Sequence, residues 1–126
     1  ISEISITFTF TSINKRNEQH NHHNMSNNDS CINACNDCFA ACLNCSEKSV
    51  QAGMDCWKNC RECAEISQVC VRTMTIMSPN CKEICALCAK LCEHCADMCE
   101  KHKTDHCQAC AGACLRCAEE CRKMAQ

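Results

Sequence analysis

Cysteine is the residue type in this sequence with the most chemical potential, and it recurs at a fixed spacing. The segment 81–99 reads CKEICALCAKLCEHCADMC, with six cysteines in steps of four, three, four, three and four residues. This is the spacing of the a and d positions of a heptad, and on an α-helix it places every thiol on one face. Leucine, isoleucine or valine usually occupy such positions in a helical bundle. The spacing therefore predicts a helix with a row of sulfur atoms on its inward face.

All twenty cysteines fall into four such rows, which we call ladders. The second ladder has Ser67 where a cysteine would continue the count, and the same count then reaches Met74 and Met77. The ladders consist of Cys31, Cys35, Cys38, Cys42 and Cys45; of Cys56, Cys60, Cys63 and Cys70; of Cys81, Cys85, Cys88, Cys92, Cys95 and Cys99; and of Cys107, Cys110, Cys114, Cys117 and Cys121.

Inward thiols in this number indicate metal binding. Soft thiolates select Cu(I), Zn(II) or iron in iron–sulfur clusters. Structural zinc usually takes separate four-ligand knuckles, and iron–sulfur clusters favour compact loop runs that end in Cys-Pro; a continuous ladder matches neither. Cu(I) accepts two or three thiolates, and a CxxxC pair such as Cys88 and Cys92 can hold one ion within a single helical turn. We therefore predict multiple Cu(I) ions per chain, about ten from two-sulfur sites and up to about twenty with bridging thiolates.

Two other functions stay open as alternatives, a thiol-redox buffer and an iron–sulfur electron carrier. Redox enzymes usually expose one CxxC pair with a low-pKa thiol at the start of a helix, and no such pair stands out here. The sequence also has no nucleophile–base–acid constellation and no glycine-rich phosphate loop, so we do not expect an enzyme.

Composition excludes several further classes. The 126 residues carry a net charge of −2 with both signs mixed, which does not favour nucleic-acid binding, and no apolar run is long enough to span a membrane. A secreted disulfide scaffold would be rich in loops, but the chain has only two glycines and one proline. Phe39 and Trp57 are the only aromatic residues after the N-terminal segment, so cysteine and alanine must fill most of the core.

The elements that would position the ladders are four helices with short connections. Such helices pack antiparallel, so we predict an all-α, up-down-up-down four-helix bundle with a cysteine-lined core. Asp29 or Ser30 is the expected N-cap of the first helix, and Ser49 and Gly53 are candidate breakers after it. Ser78 and Pro79 mark the start of the third helix. The predicted helices cover about 29–47, 54–77, 79–102 and 105–123.

The N-terminal segment differs from the rest. Residues 4–10 alternate apolar and polar side chains and favour a short strand, whereas 14–28 is rich in asparagine and histidine. His20, His22 and His23 could bind metal, although a solvated tail is the simpler interpretation. We predict a disordered extension over 1–28 and a bundle over 29–126, with Met25 as a possible native start.

The two ends of an antiparallel bundle would differ in chemistry. Cys45, Cys56, Cys99 and Cys107 would meet at one end, where His102 and His106 continue the phase of the ladders. These histidines are predicted metal ligands that pass ions inward, although a surface position at a helix end is the alternative. Cys31, Cys70, Cys81 and Cys121 would meet at the other end. Met74, Met77 and Met124 continue the ladders there, either as ligands or as core filling.

The third helix has a second apolar stripe beside its thiols, made of Ile84, Leu87, Leu91, His94 and Met98. The stripe either packs on a neighbouring helix or forms a subunit contact, and we slightly favour the subunit contact.

From Ser26 to Gln126 the chain resembles the copper storage proteins. The repeated CxxxCxxC ladders, the segment KEICALCAKLCEHC and the opening DHCQACAGAC carry this resemblance. It implies a four-helix bundle that fills with Cu(I), buffers or detoxifies copper, has histidines at one end and forms a homotetramer. The chain looks most like the cytosolic branch, since no twin-arginine leader is present, so a cytoplasmic location is expected. A copper chaperone or efflux partner is possible, but no motif identifies one. Ser67 and the 1–24 extension depart from the family pattern.

Overall fold

The computed structural model describes residues 26–126, which form four α-helices and no strand. They are α1 (Asn27–Ala52), α2 (Trp57–Thr75), α3 (Cys81–Glu100) and α4 (Asp105–Ala125). The predicted all-α class is confirmed. The strand expected at 4–10, the three N-terminal histidines and Met25 lie outside the described residues, and the division at 28/29 stays a prediction.

The limits of α1 are wider than predicted at both ends. Ser26 is the N-cap, and its hydroxyl accepts a hydrogen bond of 3.1 Å from the amide of Asp29. The expected cap at Asp29 or Ser30 was therefore wrong, since both residues lie in the first turn. The helix continues past Ser49 to Ala52, because the left-handed residue that ends it is Gly53, with φ of 71°. The Gly53 amide donates to the carbonyls of Ser49 and Val50, which satisfies the end of the helix.

The turn between α2 and α3 also differs from the expectation. Asn80, not Ser78, is the N-cap of α3, so Pro79 lies in the turn and not in the first turn of the helix. The Ser78 hydroxyl accepts a hydrogen bond of 3.0 Å from the Asn80 amide and closes this turn. Met77 has φ of 56°, which reverses the chain before Ser78. Thr104 caps α4, and its hydroxyl accepts a hydrogen bond of 3.3 Å from the Cys107 amide.

The four helices form a ring in which neighbours in sequence are neighbours in space. α1 packs on α2 and α4, and α3 packs on the same two helices. Contacts between sulfur atoms give the direction: Cys31 near the start of α1 lies 3.6 Å from Cys121 near the end of α4, whereas Cys45 lies 3.7 Å from Cys107. α1 and α4 are therefore antiparallel, and the close pairs Cys60–Cys99 and Cys70–Cys85 show the same for α2 and α3, as the short connections predicted. No helix in residues 26–126 has the length and hydropathy needed to cross a membrane.

The core consists almost entirely of thiols and alanines. Nineteen of the twenty cysteines are fully buried, Cys81 is partly buried, and all twenty are free thiols. Alanine provides most of the other buried positions, and Met74 is the largest buried side chain. The buried alanines are Ala64, Ala89, Ala96, Ala111, Ala113 and Ala118. The predicted cysteine-lined interior is confirmed.

The second stripe of α3 is only partly covered within the chain. Ile84 and Met98 pack against the edge of the core, but the side chain of Leu87 is 45% exposed. Leu91 is half-buried and His94 is exposed. Both interpretations of the stripe thus find some support, and the subunit contact stays a prediction.

Candidate metal centre

The antiparallel ladders bring thiols from all four helices together in layers. The central layer contains Cys38, Cys63, Cys92 and Cys114, one from each helix. Within it the Sγ–Sγ distance is 3.1 Å from Cys63 to Cys92, 3.5 Å from Cys38 to Cys63 and 3.6 Å from Cys63 to Cys114. These distances bring four soft ligand atoms around one point.

Layers of the same kind continue toward the histidines. Cys42, Cys60, Cys95 and Cys110 form the next one, where Cys42 lies 3.4 Å and Cys60 lies 3.8 Å from Cys110. Cys42 also lies 3.4 Å from Cys114 of the central layer. Since sulfur atoms are as close between layers as within them, the thiols form one connected column.

A further layer lies at the opposite end of the bundle. Cys31 lies 3.6 Å from Cys121, Cys70 lies 3.5 Å from Cys85, and Cys70 lies 3.9 Å from Cys121. Cys81, which was expected to join this layer, is only half-buried, and its thiol donates to the Thr73 carbonyl at 3.4 Å.

The structure brings together groups of four thiols along the whole bundle, whereas the sequence predicted such groups only at its two ends, and with partly different members. The expected unit was a CxxxC pair, and such pairs do lie close, for example Cys38 and Cys42 at 3.7 Å. However, cross-helix neighbours are equally near. Each of these groups has all its sulfur atoms within 4.8 Å of one another: Cys31, Cys35, Cys70 and Cys121; Cys35, Cys88, Cys117 and Cys121; Cys38, Cys42, Cys63 and Cys114; Cys42, Cys95, Cys110 and Cys114; Cys45, Cys60, Cys99 and Cys110. The antiparallel count gives thiols at one level, but these groups also take in thiols from adjacent levels, such as Cys38 with Cys42.

Neighbouring groups share members. Cys42 and Cys114 belong to two groups, and Cys35 and Cys121 to two others. Separate tetrahedral zinc sites would each require four thiolates of their own. A column with shared thiols instead favours ions that bind few thiolates each and are bridged by them.

The two predicted histidine ligands differ in their surroundings. The Nδ1 atom of His106 lies 3.4 Å from the sulfur of Cys45 and 3.5 Å from that of Cys107. The Nε2 atom of His102 instead lies 3.6 Å from the carboxylate of Asp55. His106 is thus placed beside thiols, whereas His102 faces a carboxylate at the same end of the bundle.

Sequence reasoning missed one polar side chain at this end. Ser49 is fully buried, and its hydroxyl lies 3.3 Å from the Cys56 sulfur and 3.7 Å from the Cys45 sulfur. The sequence pattern indicates it only as a possible breaker of α1. Its position four residues after Cys45, in ladder phase, was the signal that could have identified it.

The methionines at the opposite end also separate. Met74 is buried and Met124 is half-buried, and both pack against the thiol core. Met77 is 81% exposed, because α2 ends at Thr75 and the chain then turns. Met77 therefore does not continue the ladder of α2, contrary to the count in the sequence.

Burial and hydrogen bonds between thiols raise the pKa of some cysteines and lower the pKa of others. Desolvation by burial raises the pKa of Cys45 to about 12, and it also raises the pKa of Cys56. The pKa of Cys110 is lowered because Cys114, at 3.9 Å, donates a hydrogen bond to its thiolate. The pKa of Cys114 is raised by the same interaction, since Cys114 keeps the proton that it donates. Metal binding requires thiolates, so entering ions must displace the protons that remain.

Comparisons with known proteins agree with this geometry. The family model described as copper storage protein matches residues 17–126. The cysteine-rich protein YhjQ of Bacillus subtilis (strain 168) is 52% identical over 96 residues, which cover 75% of this chain and 86% of that protein.

Two solved structures have the same fold. Apo copper storage protein 3 from Bacillus subtilis is 51% identical with a TM-score of 0.75, over 78% of this chain and 98% of that chain. The Cu(I)-bound copper storage protein BsCsp3 is 47% identical with a TM-score of 0.77, over 80% of this chain and 100% of that chain. With a family model that spans most of the sequence and structures this similar, the chain belongs to the copper storage protein family.

Proposed function

We propose that this protein stores Cu(I) at high capacity on the thiolates of its core. The observation that carries the proposal is the connected column of buried thiols, in which groups of four sulfur atoms lie within 4.8 Å of one another and share members. One thiol group would suffice for a single structural metal, so a column through the whole bundle indicates capacity. The Cu(I)-bound relative supports the same assignment.

The charge balance of the core favours a monovalent ion. A buried thiolate without a partner is costly, so the metal-free protein should hold mostly neutral thiols. Each Cu(I) that enters can replace one proton, and the interior then stays close to neutral at every stage of loading. Thiolate is also the ligand class that Cu(I) prefers, whereas hard ions prefer oxygen.

The proposed ligands are the twenty ladder cysteines, with His102 and His106 as further ligands at the histidine end. His106 has the stronger support, because it contacts two thiols. Cys81 has the weakest support among the cysteines, because its thiol faces a backbone carbonyl.

The cellular role that we propose is copper buffering and detoxification in the cytoplasm, without catalysis. A homotetramer is proposed as the assembly, with the partly exposed stripe of α3 around Leu87 as a subunit contact. Light scattering of the purified protein measures this mass directly, and a monomer at micromolar concentration would contradict it.

Anaerobic titration of the reduced full chain with Cu(I) tests the storage function. We expect a plateau between about ten and twenty ions per chain, set by two-sulfur sites and bridging thiolates. A plateau of about one to four ions would match isolated metal sites and contradict storage.

One observation favours thiol-redox buffering as a second candidate. The sulfur atoms of Cys63 and Cys92 lie only 3.1 Å apart, so oxidation would have a short path to a cystine. Thiol counting after mild peroxide exposure separates the two functions. A store should lose thiols slowly when it is loaded with copper, whereas a redox buffer should react rapidly. Visible absorbance in anaerobically purified protein would instead support the iron–sulfur alternative, since Cu(I) thiolates are colourless.

A further inference from the structure

Ser67 occupies a ladder position of α2 with a hydroxyl in place of a thiol. It lies four residues after Cys63 and three before Cys70, and its side chain is fully buried. Within residues 26–126 its Oγ is the only buried side-chain nitrogen or oxygen atom without a hydrogen-bond partner. An unpaired buried hydroxyl is unfavourable and calls for an explanation.

The other buried serines show that this core can satisfy a hydroxyl. Ser49 contacts two thiols, and Ser46 donates to the Leu43 carbonyl at 2.8 Å. The Ser67 hydroxyl makes no such contact, so it does not stabilise α2 through a hydrogen bond. The consequence of serine at this position is therefore that the ladder lacks a sulfur atom here.

The missing sulfur opens a gap in the wall that α2 contributes. Cys63 and Cys70 are separated by seven residues, or roughly 10 Å along the helix, whereas neighbouring thiols elsewhere on the ladders are three or four residues, or roughly 4.5–6 Å, apart along it. The register of the ladders puts three thiols from the other helices at the level of Ser67, because they lie between the partners of Cys63 and those of Cys70. They are Cys35, Cys88 and Cys117, with Cys117 lying 3.5 Å from Cys35 and 3.9 Å from Cys88.

The nearest group of four thiols completes itself without α2. It adds Cys121 of α4 to Cys35, Cys88 and Cys117, and Cys121 also belongs to the group of Cys31, Cys35 and Cys70. The central layer, in contrast, has one thiol from each helix, including Cys63 only 3.1 Å from Cys92. The level of Ser67 thus offers three thiols against four in the central layer, and its fourth sulfur must be taken from the neighbouring level.

We propose that Ser67 creates the most labile copper position in the store, at the layer of Cys35, Cys88 and Cys117. A hydroxyl is a hard, neutral oxygen ligand that matches Cu(I) poorly, so it does not replace the missing thiolate. Cu(I) bound in this layer is the first to transfer to a competing ligand. The missing thiol also lowers the total number of Cu(I) ions that the chain can hold. This inference rests on the proposed storage function.

The test uses the full chain, loaded anaerobically with Cu(I) and then mixed with excess bathocuproine disulfonate, a Cu(I) chelator whose complex absorbs visible light. The capacity and the size of the fast-released fraction are measured. We expect Ser67→Cys to bind about one ion more than the wild type and to lose at least about half of the fast fraction. Ser67→Ala, which removes the hydroxyl without adding sulfur, should match the wild type in both measurements.

Two further variants make the result specific. Ser46→Cys adds the same sulfur at a buried position outside the ladders and should change neither capacity nor fast fraction. Cys92→Ser creates a second gap, in the central layer, and should increase the fast fraction. It also keeps the test decisive if Ser67→Cys folds poorly by circular dichroism.

Three outcomes would overturn the role of Ser67. They are equal capacity and release for Ser67→Cys and the wild type, an equal gain from Ser46→Cys, and an unchanged fast fraction in Cys92→Ser. A wild-type plateau of only a few ions would contradict the storage function itself, so the two failures are distinguishable.

Discussion

At the scale of single residues, this molecule uses cysteine where bundles of this kind use aliphatic side chains. A thiol is small and only weakly hydrophobic, so its burial stabilises the fold less than a leucine would. It can also lose a proton and bind a soft cation, which leucine cannot do. Cysteine therefore lowers the stability of the metal-free core, but the same side chains can stabilise the fold once they bind metal.

His106 is the residue for which a role in uptake can be tested directly. Its ring lies beside Cys45 and Cys107 at the end of the column, and imidazole holds Cu(I) more weakly than thiolate does. We expect His106→Ala to lose no more than about one ion of capacity but to take up copper several-fold more slowly. Stopped-flow mixing with a Cu(I) donor measures the rate. His94→Ala, which removes an imidazole of α3 outside the thiol ladders, is the control, and an unchanged rate in His106→Ala would refute the role.

The pKa of Cys45 predicts how the metal-free protein responds to alkali. The pKa is raised from 9.0 to about 12 by burial, so its stabilising contribution is complete below pH 9 and is lost as the pH rises toward 12. The thermal midpoint of reduced, metal-free protein should therefore be lower at about pH 10.5 than at about pH 8. In Cys45→Ser this fall should be smaller, because the titrating group has been removed. An equal fall in both proteins would contradict the assignment.

At the scale of helices, the cysteine periodicity predicted the four helices and their inward faces well, but the helix ends were predicted poorly. The three-four spacing of cysteines identified all four helices and their inward faces, because burial of one face dominates helix formation in a bundle. The ends depend on local geometry that periodicity does not contain. Ser26 is the cap because its hydroxyl accepts a hydrogen bond from the Asp29 amide. The turn at Met77 leaves Pro79 before the first residue of α3. The thiol groups likewise required the register between helices, which one ladder alone does not contain.

Two glycines offer a matched test of these local rules. Gly53 has φ of 71°, so Gly53→Ala should destabilise the metal-free protein by about 1 kcal/mol, although no atom would clash with the added Cβ. Gly112 lies inside α4, and its added Cβ would be in ordinary contact with Arg116 at 3.5 Å. Gly112→Ala should therefore stabilise by about 0.5–1 kcal/mol, because alanine is the better helix former. Urea unfolding in reductant measures both, and changes of the same sign would contradict the prediction.

At the scale of the whole molecule, metal ions would connect helices that otherwise meet through small side chains. The thiol groups named above draw on three or four helices each, so an ion bound across such a group cross-links helices that meet only in the folded state. Binding that is specific to the folded state stabilises it by mass action. Fold stability and metal content should therefore change together.

Copper loading should raise the thermal midpoint strongly. One site filled at a thousand times its dissociation constant, and bound in the folded state only, contributes about 4 kcal/mol, which corresponds to a rise of roughly 16 °C in a domain of this size. Differential scanning calorimetry of metal-free and loaded protein measures the shift. Mg²⁺, a hard ion that prefers oxygen ligands, is the control and should leave the midpoint unchanged. A loaded protein that melts at the metal-free temperature would show that the ions bind outside the core.

The overlap between thiol groups has a consequence for a partly filled chain. Because Cys42, Cys114, Cys35 and Cys121 each serve two groups, an arriving ion alters what its neighbour can bind. The affinity of an empty thiol group for Cu(I) therefore depends on whether the groups that share its cysteines already hold ions. The affinity would change gradually with the number of ions bound, so the cell would have a graded reserve of copper instead of a set of identical, independent sites.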